Sequence, residues 1–546
     1  MAESDGPEDR KPPADEPHSA FTPPLGWPQP PVPEDENPTS EFAVPEGVST
    51  DVPPPPPSYP QTAALSAFTP AEGVPMVRLT KETPWQDRMR TLLRMPVGDR
   101  PLPEIVQRHD VTGPAVPRVL DLTLRIGELL LAGGEGAEDV EAAMFAVSHA
   151  YGLERCEPNV TFTLISISHQ PSLVEDPVTA SRVVRRRGTD YTRLSAVFDL
   201  VDDITNEDED VTLEEAYRRL AAIRRNRHPY PGWALTLASG VLAGSAAVLV
   251  GGDFVVFVAA LVGAMLGDRL AWLCAGRGLP EFYQFVVAAM PPAAMGVALT
   301  VAGSALSWDG KPSAVITGGL FALLPGRALV AGVQDGLTGY YITAAARLLE
   351  VMYFFIAIVV GVLIVLYLGV QLGAELNPDS APMTGSSRPI IQILVSVTLS
   401  MAFAVLLQQE RRTVLMVSLN GGVAWTVYGA MHTTANISPV AATAVAAGLV
   451  GLFGQLFSRY QFSSSLPYVT AAIGPLLPGS ATYFGLLGIA QNELDRGLAS
   501  LSKAVALALA IAVGVNLGGE ISRLFLKAPG ATRGSARRAA KRTRGF

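Results

Sequence analysis

Between Gly232 and Glu520 the chain is a succession of apolar stretches, each close to the roughly 20 residues that an α-helix needs to cross a hydrocarbon core. Nothing else in the sequence constrains the fold as strongly, because backbone amides in lipid must find their partners within the protein. Ten stretches can be placed, at about 232–250, 254–275, 282–304, 314–334, 346–370, 389–408, 412–432, 437–457, 466–490 and 499–520. A mean hydropathy of +0.28, reached despite a proline-loaded beginning, agrees with a largely lipid-embedded chain. The expected fold is a polytopic α-helical membrane protein.

The placement of lysine and arginine tests the count independently. If the region before the first stretch is cytoplasmic, the inside segments hold Arg224, Arg225 and Arg227, then Arg269 and Arg277, Arg347, Arg411 and Arg412, and Arg459. The outside loops hold little beyond Lys311, Arg388 and Arg496. Residues 523–546 form a basic tail with no acid. Both termini inside requires an even number of crossings, which ten satisfies.

Two stretches interrupt themselves in nearly the same letters: "LLPGRA" at Leu323–Ala328 and "LLPGSA" at Leu476–Ala481, an offset of 153 residues. At that offset Ala271-Trp272 falls on Ala424-Trp425, Gly276 on Gly429, and Val287-Ala288-Ala289 on Val440-Ala441-Ala442. A tryptophan and a Pro-Gly pair matching at one offset indicate duplication. The two units, 229–373 and 386–522, then hold five helices each, and units of odd length lie upside down relative to one another. This inverted-repeat arrangement places substrate sites near the midplane, where broken helices expose backbone groups and helix-end dipoles. Proline removes a donor and clashes with the preceding turn, so such breaks persist only inside protein or beside a watery cavity. A packing kink is the bland alternative for either one alone.

Before the membrane region, residues 117–228 read as a small cytoplasmic α+β domain. "RVLDLTLRIGELLLAGGEG" has helical apolar spacing and a Gly133-Gly134 stop; "AEDVEAAMFAVSHAYG" has Glu138 and Asp139 in a first turn and Gly152 after the last. "NVTFTLISIS" reads as one strand with Val160, Phe162, Leu164 and Ile165 on its apolar positions. Thr212 and Glu215 have capping-box spacing. The acidic run "DLVDDITNEDEDVTLEE" lacks the glycine of a calcium loop and reads as a solvated linker. "RVVRRRGTDYTR", like the C-terminal tail, is a candidate partner for lipid headgroups. Residues 1–116 are expected to be a disordered proline-rich tail, since 20 of the chain's 44 prolines fall before residue 76. The N-terminus lacks an apolar signal segment and is expected to stay in the cytoplasm.

"GELLLAGGEGAEDVEAAMFAVSHAYGL" followed by "VTFTLISIS" and a ten-helix region with Pro-Gly breaks resembles the bacterial threonine/serine exporter family. The resemblance covers about Pro117 to Leu526. It implies a cytoplasmic N-terminal domain before two five-helix units, in a multi-pass protein of the bacterial plasma membrane that exports threonine and serine on the proton gradient. The proline-rich start resembles actinobacterial members.

An amino-acid exporter must hold an ammonium, a carboxylate and a hydroxyl away from bulk water. The candidate substrate-binding residues are Pro325, Gly326, Arg327 and Asp335 around the first break, and Pro478, Gly479, Ser480 and Thr482 around the second. Asp335 is either an ammonium or proton site or an acid at the cytoplasmic edge. Arg327 either meets a carboxylate or pairs with Asp268 or Asp335. Gln334, Gln491, Asn492 and Asp495 lie farther along. Asp268 and Arg269 read as an edge ion pair, Trp272 and Trp425 as interfacial or packing aromatics, and Asn420 with Gly421-Gly422 as polar glue between helices. No metal or cofactor is expected: Cys156 and Cys274 are far apart, with no histidine at ligand spacing. No nucleic-acid footprint is present, and an oligomer is compatible with the sequence. The rival reading is a membrane-anchored regulatory or hydrolase-like protein acting through its soluble domain. Ser166 and His169 sit three apart there, but no G-x-S-x-G elbow accompanies them.

Overall fold

A computed structural model of the protein describes residues 116–525, except positions 154, 173, 186, 187, 189, 207–209, 226–228, 307–310, 373–388, 462–463 and 491–492, together with Trp85, Met89 and Leu93. The proline-rich beginning and the basic C-terminal tail lie outside the described residues.

The first part is an α+β unit. Helices α1 (Val116–Gly133) and α2 (Ala137–Ala150) precede an antiparallel sheet of β1 (Cys156–Val160), β2 (Leu164–His169) and β3 (Val178–Val183), in the order β1-β2-β3. Helices α3 (Tyr191–Thr205) and α4 (Leu213–Arg225) follow. The α1 helix stops at Gly134, whose φ of 92° suits a residue without a side chain. Asp190 caps α3 by accepting from the Arg193 N–H at 3.1 Å, and Thr212 caps α4 by accepting from the Glu215 N–H at 3.3 Å, as its spacing predicts.

Four expectations for this part are corrected. The stretch expected as one strand is a hairpin: the Thr161 N–H donates to the Leu164 carbonyl at 2.8 Å, and the buried face is Ile165, Ile167 and His169 while Leu164 is exposed. With a side-chain period of two, a one-residue error in register exchanges the faces. The acidic run is not all linker, because Asp199–Thr205 complete α3 with Val201 and Ile204 in the core. The basic stretch is folded in as well: Arg182 lies on β3 and pairs with Glu128 at 2.5 Å. Finally, the tail expected over 1–116 includes core residues. Trp85 and Met89 are buried, and Trp85 stacks on Phe198 at 5.7 Å.

The rest is helical: α5 (Gly232–Leu249), α6 (Phe254–Gly276), α7 (Glu281–Leu306), α8 (Pro312–Phe321), α9 (Gly326–Leu337), α10 (Tyr341–Gln371), α11 (Pro389–Leu406), α12 (Arg411–Gly429, running on as a π turn over Ala430–Thr434), α13 (Pro439–Gln461), α14 (Leu466–Thr470), a 3-10 turn (Gly474–Leu476), α15 (Gly479–Ala490) and α16 (Leu494–Phe525). Eight of these, namely α5, α6, α7, α10, α11, α12, α13 and α16, are long and apolar enough to cross a membrane. The two remaining sequence stretches, 314–334 and 466–490, are not continuous helices. The first is divided into α8 and α9, the second into α14, the 3-10 turn and α15.

Small residues set the closest helix approaches, as expected where lipid supplies no hydrophobic drive between helices. A Cβ on Gly361 of α10 would lie 2.3 Å from the Val286 carbonyl oxygen on α7. One on Gly514 of α16 would lie 2.3 Å from the Ala444 carbonyl oxygen on α13. These two glycines are separated by the same 153 residues as the Pro-Gly motifs. Large apolar side chains such as Trp272, Tyr367 and Val505 point outward, which suits contact with acyl chains and headgroups.

The α+β unit rests on one end of the helices. The Tyr191 N–H donates to the Leu407 carbonyl at 3.2 Å, the Tyr191 hydroxyl reaches Thr470 Oγ1 at 3.2 Å, and Tyr230 donates to the Gln409 carbonyl at 3.0 Å.

Candidate functional site

The two breaks have the same backbone. At the first, the Gly326 N–H donates to the Leu324 carbonyl at 2.8 Å and the Leu329 N–H to the Pro325 carbonyl at 3.1 Å; at the second, Gly479 donates to Leu477 at 2.9 Å and Thr482 to Pro478 at 3.0 Å. Each break is therefore a three-residue turn across the proline, followed at once by a new helix. Proline cannot donate and resists the α region for the residue before it, so the chain leaves the helix there and restarts at glycine.

The breaks also meet. A Cβ on Gly326 would come within 3.1 Å of the Leu477 side chain, and one on Gly479 within 2.0 Å of the Phe321 ring. Pro325, Pro478 and Ser480 are half-buried, while Gly326, Gly479 and Thr482 are buried. The structure thus brings six of the eight candidate site residues into one region. Arg327 has its backbone in the first turn of α9, and its side chain lies outside the described residues. The positive ends of the half-helices α9 and α15 both open at this junction.

Asp335 is elsewhere. It sits near the end of α9, fully buried against the α+β unit, with Oδ2 3.2 Å from Arg347 Nε. Its Oδ1 accepts from the Ala137 N–H at 2.8 Å. The N-cap position of helix α2 is Gly136, which has no side chain with which to cap it, so Asp335 supplies the cap from another part of the chain. Arg347 donates through Nη2 to the Glu135 carbonyl at 2.6 Å, and Glu135 accepts from the Ser464 hydroxyl at 2.8 Å. Tyr340 donates to Glu141, which also accepts from the Val160 N–H at 3.0 Å. Burial pushes the Glu141 carboxyl up to about 7 against those two hydrogen bonds. Of the two acids proposed to pair with Arg327, Asp335 is matched to Arg347, and Asp268 accepts from Thr236.

Beside this latch lies a polar cavity of about 50 Å³. That is several times what one water requires. Its wall is built from Gln334 of α9 and Thr338 just after it, Gln455 of α13, Asn516 and Glu520 of α16, and the residues Glu135 and Glu138 of the α+β unit, with Val330, Val469 and Val515 toward the helix interior. Sequence reasoning reached Gln334 but missed Gln455, Asn516 and Glu520. The signal was present: Asn516 and Glu520 are four apart, hence on one face of an otherwise apolar helix.

The remaining candidates are placed as follows. Asn420 donates to the Val450 carbonyl at 3.4 Å across α12 and α13, consistent with polar glue. Arg269 donates to the Gly232 carbonyl. Trp425 packs against Tyr428 with the rings tilted and their centroids 5.4 Å apart. Gln491 and Asn492 lie outside the described residues, and Asp495 is exposed. Cys156 has a histidine after all: β1–β2 pairing sets it opposite His169, with Sγ 3.6 Å from Nδ1. Burial pushes that thiol up to about 12, which disfavours the nucleophilic thiolate.

These features define a multi-pass helical membrane protein with an α+β unit folded onto one end of its helices. A family model named ThrE matches residues 121–369, and a companion described as "Threonine/Serine exporter, ThrE" matches residues 392–520. The "Probable threonine/serine exporter" of Mycobacterium tuberculosis is 35% identical over 446 residues, covering 79% of this chain and 82% of that protein. The "Threonine/serine exporter" of Corynebacterium glutamicum is 30% identical over 423 residues, covering 76% of this chain and 84% of that protein. No solved structure matches the chain. The chain belongs to the threonine/serine exporter family.

Proposed function

We propose that the protein is a secondary transporter that exports threonine and serine across the bacterial plasma membrane by proton-coupled alternating access, and that it is not an enzyme. The observation that carries this reading is the contact between the two breaks, where Gly479 meets Phe321 and Gly326 meets Leu477. Family membership supports the substrate class through the names of the two relatives.

In this reading the broken stretches are the fourth and ninth of ten crossings, arranged as two inverted five-helix repeats. Three observations support it: the matching backbone of the breaks, the matching close approaches at Gly361 and Gly514, and the side on which the α+β unit lies. That unit touches the chain at Asp335–Arg347, at Leu407 and at Ser464–Thr470, and Tyr230 just after it reaches Gln409. These positions follow the fourth, sixth and eighth crossings, which return to the starting side if every stretch crosses once. That side is the cytoplasm, where both termini lie.

The positive ends of α9 and α15 then face the substrate carboxylate at the junction, with Arg327, Ser480 and Thr482 around it and Pro325, Gly326, Pro478 and Gly479 holding the helices open. Asp335 anchors the α+β unit at the inner end. Cells loaded with a threonine-containing dipeptide, with and without the gene, test the reading by the rise of external threonine. Equal efflux from both, with the protein present in the membrane, refutes it.

A further inference from the structure

Two buried hydroxyls at the junction of the breaks have no hydrogen-bond partner among the described residues. Threonines elsewhere in the membrane helices turn their hydroxyls back onto their own backbone. Thr317 donates to the Ser313 carbonyl at 3.0 Å, Thr398 to Leu394 at 2.9 Å and Thr426 to Gly422 at 2.8 Å. Thr482, 2% exposed and in the first turn of α15, makes no such bond, although its N–H donates to the Pro478 carbonyl at 3.0 Å. The hydroxyl of its neighbour Tyr483, also 2% exposed, is likewise unengaged among the described residues.

Tyr483 differs from phenylalanine only in that hydroxyl, and its surroundings do not use it. The ring is packed in one apolar cluster with Ala289 and Ala293 of α7, Ile316 and Leu320 of α8, and Ile358 and Val362 of α10. Those side chains offer neither donor nor acceptor. An unpaired hydroxyl in such a place costs free energy that phenylalanine, filling the same space, would not. The hydroxyl therefore calls for a partner from outside the chain.

Its position says where that partner comes from. Tyr483 lies four residues after Gly479, on the same face of α15 and about 6 Å along its axis. The Cα–Cβ bond of a helical residue tilts toward the helix N-terminus, which leans the ring back toward the break. Gly479 on that face meets the Phe321 ring, and Leu320 of the Tyr483 cluster is the residue before Phe321. The phenol thus borders the junction at which the ends of α9 and α15 open. In threonine and serine the carboxylate and the hydroxyl are borne on adjacent carbons, so a carboxylate at the helix ends brings the hydroxyl beside it.

We infer that Tyr483 sets the substrate preference, its phenol hydrogen-bonding the side-chain hydroxyl of the exported amino acid while the carboxylate lies at the ends of α9 and α15. The inference rests on the exporter reading. A wall of alanine, leucine and isoleucine alone separates threonine poorly from valine, which has a methyl group in place of the hydroxyl, whereas a site that hydrogen-bonds the hydroxyl rejects the analogue lacking it.

The test uses the full chain in proteoliposomes, where counterflow gives the KM of threonine and the inhibition constant of valine. Tyr483→Phe is expected to raise the threonine KM about tenfold, as loss of one buried hydrogen bond implies, and to leave the valine constant within about twofold. The preference for threonine over valine then falls about tenfold. Serine and alanine, related by the same loss of a hydroxyl, are expected to show the same fall. The thermal midpoint is expected to hold or rise, because the hydroxyl removed has no partner in the described chain. Calorimetry on the detergent-solubilised protein reads the same ratio without transport. An unchanged threonine-to-valine ratio in Tyr483→Phe, with wild-type counterflow intact, overturns the inference alone. So does an equal weakening of both amino acids, which assigns the phenol a structural role. Absence of wild-type counterflow overturns the exporter reading instead.

Discussion

Replacing Asp335 by alanine is the sharpest perturbation of the contact between the α+β unit and the membrane helices. The substitution removes two things at once. Arg347, only 4% exposed, loses the carboxylate 3.2 Å from its Nε, and helix α2 loses the acceptor for its Ala137 N–H. Breaking a buried ion pair from one side costs about 3–5 kcal/mol, because the surviving charge stays buried without its partner. Loss of a helix cap costs about 1 kcal/mol. The surviving contact from Arg347 to the Glu135 carbonyl at 2.6 Å moderates the first cost without replacing the lost charge. At about 2 °C per kcal/mol for a large chain, Asp335→Ala is expected to lower the thermal midpoint in detergent by about 6–10 °C. It is also expected to open the Gly134–Gly136 loop and the start of α2 to limited proteolysis. Removing both charges, as Asp335→Ala with Arg347→Met, is expected to recover more than half of the loss, because the uncompensated charge is gone. A single variant as stable as wild type refutes the latch, and so does a double variant no better than the single one.

Three further perturbations probe other parts of the structure. Burial raises the Glu141 carboxyl from 4.5 to about 7, so the folded protein binds that proton more tightly than the unfolded chain; its contribution to stability is full below about pH 4.5 and is lost as pH rises to 7. Glu141→Gln is therefore expected to flatten the fall in thermal midpoint between pH 5 and pH 8, and an unaltered slope refutes the assignment. Gly479→Ala places a methyl 2.0 Å from the Phe321 ring, an overpacking of about 1–3 kcal/mol; it is expected to slow threonine efflux, and Phe321→Leu in the same chain to restore part of the rate. Trp85→Ala removes a core side chain stacked on Phe198, at a cost of about 3–5 kcal/mol; an unchanged thermal midpoint would show that the residues before Val116 do not contribute to the core.

What could be read along the chain was local. The apolar stretches carry their own backbone hydrogen bonds and need no knowledge of neighbours, so eight of the ten coincide with helices able to cross a membrane. The Pro-Gly breaks were equally legible, since proline acts on the residues beside it. The β1–β2 hairpin was not, because the side-chain period of two left the register to be set by pairing with β3 and packing on the helices. Trp85 was obscured by the prolines around it, and a single aromatic in a polar segment has no pattern until its partner Phe198 is known.

Sequence by itself determined the membrane-embedded character of the protein, the position of both interruptions and the 153-residue relation between them, because each follows from chain-local rules of hydrogen bonding and sterics. Only the tertiary structure decided that the interruptions touch, that Asp335 caps a helix 198 positions earlier in the chain, and that Gln455, Asn516 and Glu520 share a cavity with Glu138. Those relations depend on which helices pack together. Close packing at glycines such as Gly361 and Gly514 brings distant residues within a few ångströms, and no spacing along the chain encodes that distance.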